Sequence, residues 1–588
     1  MGGIMKSIIK LSLVSLVLSF GLLTHVAAQD SEDRAQAQLF DEILVTAQKR
    51  EQSLLEVPMA ISAFSGEELD QRGVNAITDL QFAVPGLTMR EDGPGSNTIF
   101  LRGIVNQYGN GAVVGQYLDE VPVTLTGYDQ LDVRALDLER IEVLKGPQGT
   151  LYGQGSVAGT VRYITRDPGL DAFAGSFSAS AGFIDGGDTE SVVTGVLNVP
   201  LAEDKFGMRI AARLQEGGGW QDQPAAGIKD GNDQDLLNIR AKFLWRASEN
   251  VDVELMYVHH SNESKLGLGY EDPDRTIFVA GDPATVLIPK DMEYSIANLT
   301  LTVDLGFATL TSATSSIDND HVYPFAYQCG PATNCGPFEG NDDRVDTGEL
   351  FTQELRLSSS GDSKLQWTVG AFYWDVEDEL VADYRTFDAS SATPFVSIFT
   401  DTFVSMDEYE SYALFADMSY QVSDRLRFGF GGRYFDDDQS EAVSCCVQLG
   451  VPFSEQSASF DSFDPRAYLS FEISEDTNLY ASIGSGFRSG GFNSFGDPPY
   501  DPEDVLAYEI GIKGTNADAN VTYEVAAFFN DYSDMLRRGL VFNGTNFTSQ
   551  LSNIVDVDIF GVEGGLAVKA GERFTFSATA AWLDTEVK

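Results

Sequence analysis

Three widely spaced stretches of this chain alternate apolar with polar or charged residues almost without error: Leu237 to Arg246, Leu426 to Tyr434 and Phe574 to Trp582. Successive side chains on a β-strand point to opposite faces, so the pattern gives each stretch one apolar and one polar face. Each is about ten residues long, the length of a tilted strand that crosses a lipid bilayer. Beyond the N-terminal region no stretch approaches the roughly 18 continuous apolar residues of a membrane helix. Any membrane span that the rest of the chain makes is therefore β.

A soluble β-sandwich would show the same alternation, because its strands also bury one face. Two features favour a barrel. Connections alternate between short and long: Val422-Ser423-Asp424-Arg425 is a tight turn and Arg246 to Val251 is similarly short, whereas His260 to Ala297 and Ile317 to Asp346 read as long loops rich in Gly, Pro and Asp. One trimmed end and one elaborated end is the outer-membrane pattern. Aromatic residues also recur near strand ends, at Trp245, Tyr257, Tyr420, Tyr434 and Trp582, as interface girdles require. Roughly 16 or 17 strand candidates lie between Phe173 and Leu583.

The N-terminus points to export. Lys6 and Lys10 give a positive start, Leu11 to Leu23 is apolar, and Val26-Ala27-Ala28 offers a cleavage site before Gln29, which together read as a secretory signal peptide. An uncleaved anchor is the alternative. The cysteines fit an oxidising compartment: Cys329 and Cys335 could close a small loop, while Cys445 and Cys446 are adjacent, where a bond would be strained, so either could cross to the first pair. Their spacing is not a zinc pattern. Asp plus Glu outnumber Lys plus Arg by 89 to 38, a net charge of -51, which argues against nucleic acid as a partner. With 43% hydrophobic and 11% aromatic residues, the acidity does not imply disorder.

Residues from about 40 to about 167 read as one α+β domain. Ile61 to Phe64 is a strand. Ser65 and Glu68 have capping-box spacing and start a short helix. A second helix is expected from Ala76 to Phe82, ending at the Val84-Pro85-Gly86 turn. Short strands follow at Ile99 to Arg102, Val113 to Leu118 and Val121 to Val123, and Arg140 to Leu144 alternates like a half-buried strand. Upstream lies a short β-prone run, Asp41, Glu42, Ile43, Leu44, Val45, Thr46 and Ala47. It is either a frayed first strand or an edge strand offered to another protein's sheet.

The run Glu139-Arg140-Ile141-Glu142-Val143-Leu144-Lys145-Gly146-Pro147-Gln148-Gly149-Thr150-Leu151-Tyr152-Gly153 closely resembles the signature of the plug domain of TonB-dependent outer-membrane receptors. Leu101-Arg102-Gly103-Ile104, Tyr117 to Val123, Val84-Pro85-Gly86 and the Gly-rich Gly155 to Thr165 resemble further plug segments in family order. Thr352 to Leu357, Tyr508 to Lys513 and Ala527 to Tyr532 resemble recurring barrel strands. Two plug segments depart from the usual pattern, Gln154 to Gly159 and Val161-Arg162-Tyr163-Ile164, which blurs transfer of individual contacts. The resemblance implies a mainly β protein, with an N-terminal α+β plug inside a large antiparallel transmembrane β-barrel. It divides the chain into a signal peptide (1–28), an N-terminal segment (29–52) with a TonB box at 41–47, a plug (53–167) and a barrel domain (168–588). Family barrels have 22 strands, so this chain, ending at Lys588, reads as lacking about five.

No enzyme, cofactor or metal centre is expected. Lys145 to Thr150 superficially suggests a phosphate loop, but its Lys precedes the glycines. His259 and His260 are adjacent, so on a strand they face opposite ways. The resemblance implies energised uptake across a Gram-negative outer membrane. Concentrating a ligand a thousandfold costs about 4 kcal/mol, and a membrane perforated by porins holds no gradient to supply it. By resemblance the energy comes through TonB with ExbB and ExbD, whose pull is delivered to the box. Ferric siderophores are the first ligand expectation; cobalamin, oligosaccharides or other organic nutrients are alternatives. Ligand contacts are expected at the plug apex, with Gly93, Gly95, Gln107 and Tyr108 as candidates by position. A passive porin and a signal-transducing receptor are the rival classes; the plug and box disfavour the first, and the dozen or so residues between Gln29 and the box leave little room for the second's extra domain.

Overall fold

Seventeen strands, from Ala174–Phe183 to Phe574–Val587, form one antiparallel sheet whose order follows the chain. The computed structural model describes residues 44–588 apart from 92–96, 107–110, 126–129, 154, 223–226, 266–269, 272–276, 279–289, 329–337, 362, 389–396, 445–446, 494–497, 517–520, 543–546 and 572–573. All four cysteines, Asp41 to Ile43, and the apex candidates Gly93, Gly95, Gln107 and Tyr108 lie outside the described residues.

The strands carry the expected alternation. In Glu503–Asn516, Ile510 is exposed on the outer face while Glu509 and Lys513 are buried inside. Trp245, Tyr257, Tyr420, Tyr434 and Trp582 all face outward and are exposed. The strands are longer than the ten-residue estimate: Ser397–Ser423 has 27 residues and Leu365–Asp388 has 24. Much of Ile317 to Asp346, expected to be loop, is strand, because Ala308–Gln328 and Phe338–Ser359 pair along their whole length. A lipid-crossing minimum sets only a lower bound; alternation continues past it, so pairing does too. No described pairing joins the first strand to the last.

Inside this sheet sits the plug. Its strands are β1 (Leu44–Val45), β2 (Gln52–Ser53), β3 (Ile61–Ser65), β4 (Leu87–Glu91), β5 (Asn97–Leu101), β6 (Val114–Leu118), β7 (Val121–Pro122), β8 (Leu138–Lys145) and β9 (Gly159–Thr165). The main sheet has the order β3-β8-β9-β6-β7, with β6 and β9 parallel. Helix α1 (Gly66–Arg72) starts where expected: the Ser65 side chain accepts from the Glu68 N–H at 3.2 Å. The reciprocal half of the box is not made, because the Glu68 carboxylate pairs with Arg72 at 2.7 Å. The second expected helix shrinks to one 3-10 turn, Ile77–Leu80. Asp79 caps its start by accepting from the N–H groups of Asn75 (2.7 Å) and Ala76 (3.2 Å), and Pro85, which has no N–H, and Gly86, at φ 78°, turn the chain away after it. Plug residues such as Leu101, Ile141 and Tyr163 share one hydrophobic cluster with Met256, Ile296, Phe528 and Val557 of the surrounding wall.

Candidate functional site

The sequence expectation put Arg102 at a strand end. The structure puts it just past β5 in a left-handed turn at φ 53°, with Gly103 following at φ 78°. That turn throws the side chain outward into the wall. Its guanidinium lies 2.6 Å from Glu509 and 2.7 Å from Glu563, and 4.1 Å from the centre of the Phe528 ring. Lys145, at the end of β8, reaches Glu563 at 3.3 Å. Glu509 also accepts from the Ala60 N–H at 2.7 Å and the Tyr480 hydroxyl at 2.8 Å. Two plug cations and two wall carboxylates are thus buried together. Burial opposes the Arg102 charge, but Glu509 and Glu563 outweigh it and drive its pKa upward. Removing one member of such a set strands the others in a low-dielectric site.

The rest of the signature run orders the plug at its start and meets the wall at its end. Glu139 and Arg140 pair with each other at 2.6 Å at the start of β8. Gly146, at φ 82°, donates its N–H to the Ala158 carbonyl at 2.9 Å and turns the chain out of β8. Helix α2 (Gly149–Tyr152) is a single turn pressed onto the wall. A Cβ on Gly149 would come within 2.9 Å of the Asp464 carboxylate, and Thr150 donates to the Asp464 carbonyl at 2.9 Å. Gly153, at φ 78° and ψ -149°, adopts a conformation that is essentially restricted to glycine.

Tyr152 connects this run to the N-terminal segment: its hydroxyl donates to the Ala47 carbonyl at 3.0 Å. Leu44 to Ala47 is not a free edge. β1 pairs with β2 through Leu44↔Ser53 and Val45↔Gln52. Val45 and Ala47 are fully buried. The Thr46 N–H donates to Glu142 at 2.9 Å, and Glu142 also accepts from Arg140 (2.8 Å) and Arg162 (3.1 Å). Burial raises the Glu142 pKa, but Arg162, Arg140 and the Thr46 N–H together hold it below the usual carboxylate value. Lys49, buried in the turn between β1 and β2, pairs with Glu354 of the wall.

Sequence reasoning picked out Arg102 and Lys145 and missed Lys49, Asp167 and the wall partners Glu354, Arg356, Lys242, Glu509 and Glu563. Arg356 binds Glu120 at 2.7 Å, and Lys242 binds Asp167 at 2.7 Å and Asp119 at 3.3 Å. Their signal was a charged residue at an inward position between outward-facing apolar neighbours, as Arg356 lies between Leu355 and Leu357 and Glu509 between Tyr508 and Ile510. The adjacent histidines do face apart: His259 contacts Ser295 at 3.3 Å, whereas His260 is buried 3.6 Å from Asp132 of the plug.

Comparison with known proteins agrees with this architecture. Residues 53–160 match the family described as TonB-dependent Receptor Plug Domain, and residues 252–588, more than half of the chain, match TonB dependent receptor-like, beta-barrel. The pesticin receptor of Yersinia pestis is 25% identical over 546 residues, covering 89% of this chain and 74% of that protein. The crystal structure of the ferric yersiniabactin uptake receptor of Yersinia pestis superposes with a TM-score of 0.74 at 19% identity, covering 90% of this chain and 79% of that one. The siderophore receptor PiuA of Acinetobacter baumannii gives a TM-score of 0.73 at 18% identity, covering 91% and 80%. A plug held by buried ion pairs inside an antiparallel barrel wall, matched by both domain families in order, makes this chain a member of the TonB-dependent receptor family.

Proposed function

We propose that this protein takes up a ferric siderophore or another iron complex across the outer membrane, driven through a TonB box at Asp41 to Ala47. The family is a receptor and transporter class, and its barrel belongs in the outer membrane of a Gram-negative bacterium. The observation that carries the reading is continuity: the N-terminal segment runs directly into a plug that fills the barrel and is pinned to its wall by buried charges. A pull on that segment is a pull on the plug. The iron assignment draws on the relatives, named as ferric yersiniabactin uptake and siderophore receptors.

In this reading the export signal is cleaved after Ala28, residues 53–167 are the plug and 168–588 belong to the barrel domain. Box residues pair as a strand with the C-terminal domain of TonB, energised by ExbB and ExbD. Arg102, Gly103, Lys145, Gly146, Gly149, Tyr152 and Gly153 keep the plug in its seat, and Glu139 and Arg140 order the start of β8 within the plug. Gly93, Gly95, Gln107 and Tyr108 are the residues proposed, by sequence position, to contact the ligand. The test is the abundance of this protein in outer membranes of source cells grown with excess iron and with an iron chelator, paired with uptake of radiolabelled ferric siderophores. Strong induction and loss of uptake on deletion are expected. Absence of both overturns the iron assignment and sends the search to cobalamin and carbon sources.

A further inference from the structure

We propose that the inner wall carries a recognition pocket for a primary alkylammonium group, so that the cargo of this receptor is a complex bearing a free amine. The cargo half rests on the function proposed above; the pocket itself does not.

The pocket lies where Thr124 and Leu125, just past β7 of the plug, meet the wall strands Ala308–Gln328, Phe338–Ser359 and Leu365–Asp388. Asn319 and Asp378 are well beyond the short-turn ends of their strands, Ala308 and Leu365, so it sits toward the long-connection end, the outer end of such barrels. It offers about 30 Å³, room for a group the size of water or ammonium. Gly348 makes that room. A Cβ there would lie 2.7 Å from Asn319 Oδ1 and 3.4 Å from Asp378 Oδ1, so the missing side chain leaves the space between these two oxygens open. Asp346 is in hydrogen-bonding contact with Asp378. Two carboxyl groups that close hold a proton or another cation between them. The acidic row continues along the wall: Asp378 faces Asp407 across one strand pair, and Asp407 faces Glu441 across the next. Like charges directly opposite destabilise a sheet, and among the described residues that line the pocket none is Lys or Arg.

An acidic row alone defines no ligand; Asn319 does. It is 7% exposed, and among the described residues its side chain has no hydrogen-bond partner, although its oxygen reaches the space over Gly348. A buried amide without a partner is costly, and a donor seated between Asn319 and Asp378 removes that cost. An ammonium group has three N–H donors and no acceptor, which matches oxygens from Asn319, Asp346 and Asp378. A metal ion fits less well, because no group of three His, Cys, Asp or Glu side chains converges among the described residues. Leu125, Met292 and Val376 supply an apolar side to the same pocket, which suits the stem of an alkylammonium and not a bare ion.

The experiment is binding of n-butylammonium to the full chain in outer-membrane vesicles, read by saturation-transfer NMR. Vesicles lacking the protein are the blank, and n-butanol is the neutral probe. n-Butylammonium should bind and n-butanol should not. Asp378→Asn should weaken binding about tenfold, since a charge-assisted hydrogen bond becomes a neutral one. Asn319→Asp adds a carboxylate and should tighten binding about threefold, a gain that a misfolded barrel cannot give. The proposal is overturned if the unmodified chain does not bind, if n-butanol binds as well, if Asp378→Asn binds unchanged or if Asn319→Asp binds no more tightly. In a second arm, a ferric trihydroxamate with a free primary ammonium is compared with its N-acetylated twin for uptake by whole cells, and the first should be strongly preferred. Equal uptake of both overturns the assignment of an amine-bearing cargo and leaves the uptake reading standing. Uptake of neither counts against the iron assignment, while the n-butylammonium result still decides the pocket.

Discussion

Thr46 donates its backbone N–H to the Glu142 carboxylate at 2.9 Å, so a main-chain amide of the N-terminal segment is held by a charge buried in the plug sheet. Glu142 is worth most to that contact when ionised. Its folded pKa lies below its ordinary value of 4.5, so its stabilising contribution is complete above that value and disappears as pH falls through the lower folded one. Hydrogen exchange at the Thr46 amide, corrected for intrinsic rates, should lose protection in acid. Glu142→Gln should show weak protection already at neutral pH, with the acid dependence gone.

Arg102 carries two separable loads, a left-handed backbone and a buried charge. Arg102→Ala should destabilise plug seating by about 3–5 kcal/mol, because Glu509 and Glu563 lose a shared cation. Arg102→Gly should recover about 0.5–1 kcal/mol of that, since glycine accepts φ 53° without strain. Denaturant titrations of the two variants side by side check the difference.

Gly153 tests the backbone alone. At φ 78° and ψ -149° an alanine should cost about 1–3 kcal/mol. Its Cβ would also meet the Arg433 guanidinium at 2.8 Å, but that is the end of a long side chain and can move aside. Gly153→Ala should lower the plug's unfolding midpoint, and a further Arg433→Ala should not restore it.

Val45 sits within the segment assigned to partner pairing. Proline there removes a donor and fixes φ, which a strand-to-strand contact cannot absorb. Val45→Pro should abolish energised uptake while ligand binding at the cell surface stays normal. Normal uptake by this variant would remove Asp41 to Ala47 from the role of TonB box.

Most of the architecture was readable because alternation is a local signal. Leu237 to Arg246 announces a strand with one lipid face, and the structure extends it only slightly, to Gln234–Ser248. The plug motif was equally legible, since Gly146, Gly149 and Gly153 mark turns and close approaches that other residues resist. Partnership was less legible. Nothing local to Glu509 says that Arg102 will meet it; that depends on how the plug is turned within the wall. The Ala76 to Phe82 helix fell short for a local reason. The start was right, and Asp79 caps it by accepting from the Asn75 and Ala76 N–H groups, but Pro85 just beyond has no N–H to continue a helix, so only one turn forms. Burial of Val45 and Ala47 was also invisible, because an edge strand and a tucked strand have the same composition.

The order of the wall strands has a kinetic consequence. Each pairs with its predecessor in the chain, so the wall can grow hairpin by hairpin with little loop-closure entropy at any step. The plug sheet is different: Ile61 must find Leu144, and Val114 must run parallel to Gly159. Until those long-range pairings form, Glu354, Glu509 and Glu563 line the wall with no plug cation to meet, and water must solvate them. Insertion of the plug is therefore the step at which these carboxylates shed their water. It is a late, cooperative dehydration of the interior, and it should set the slow phase of refolding.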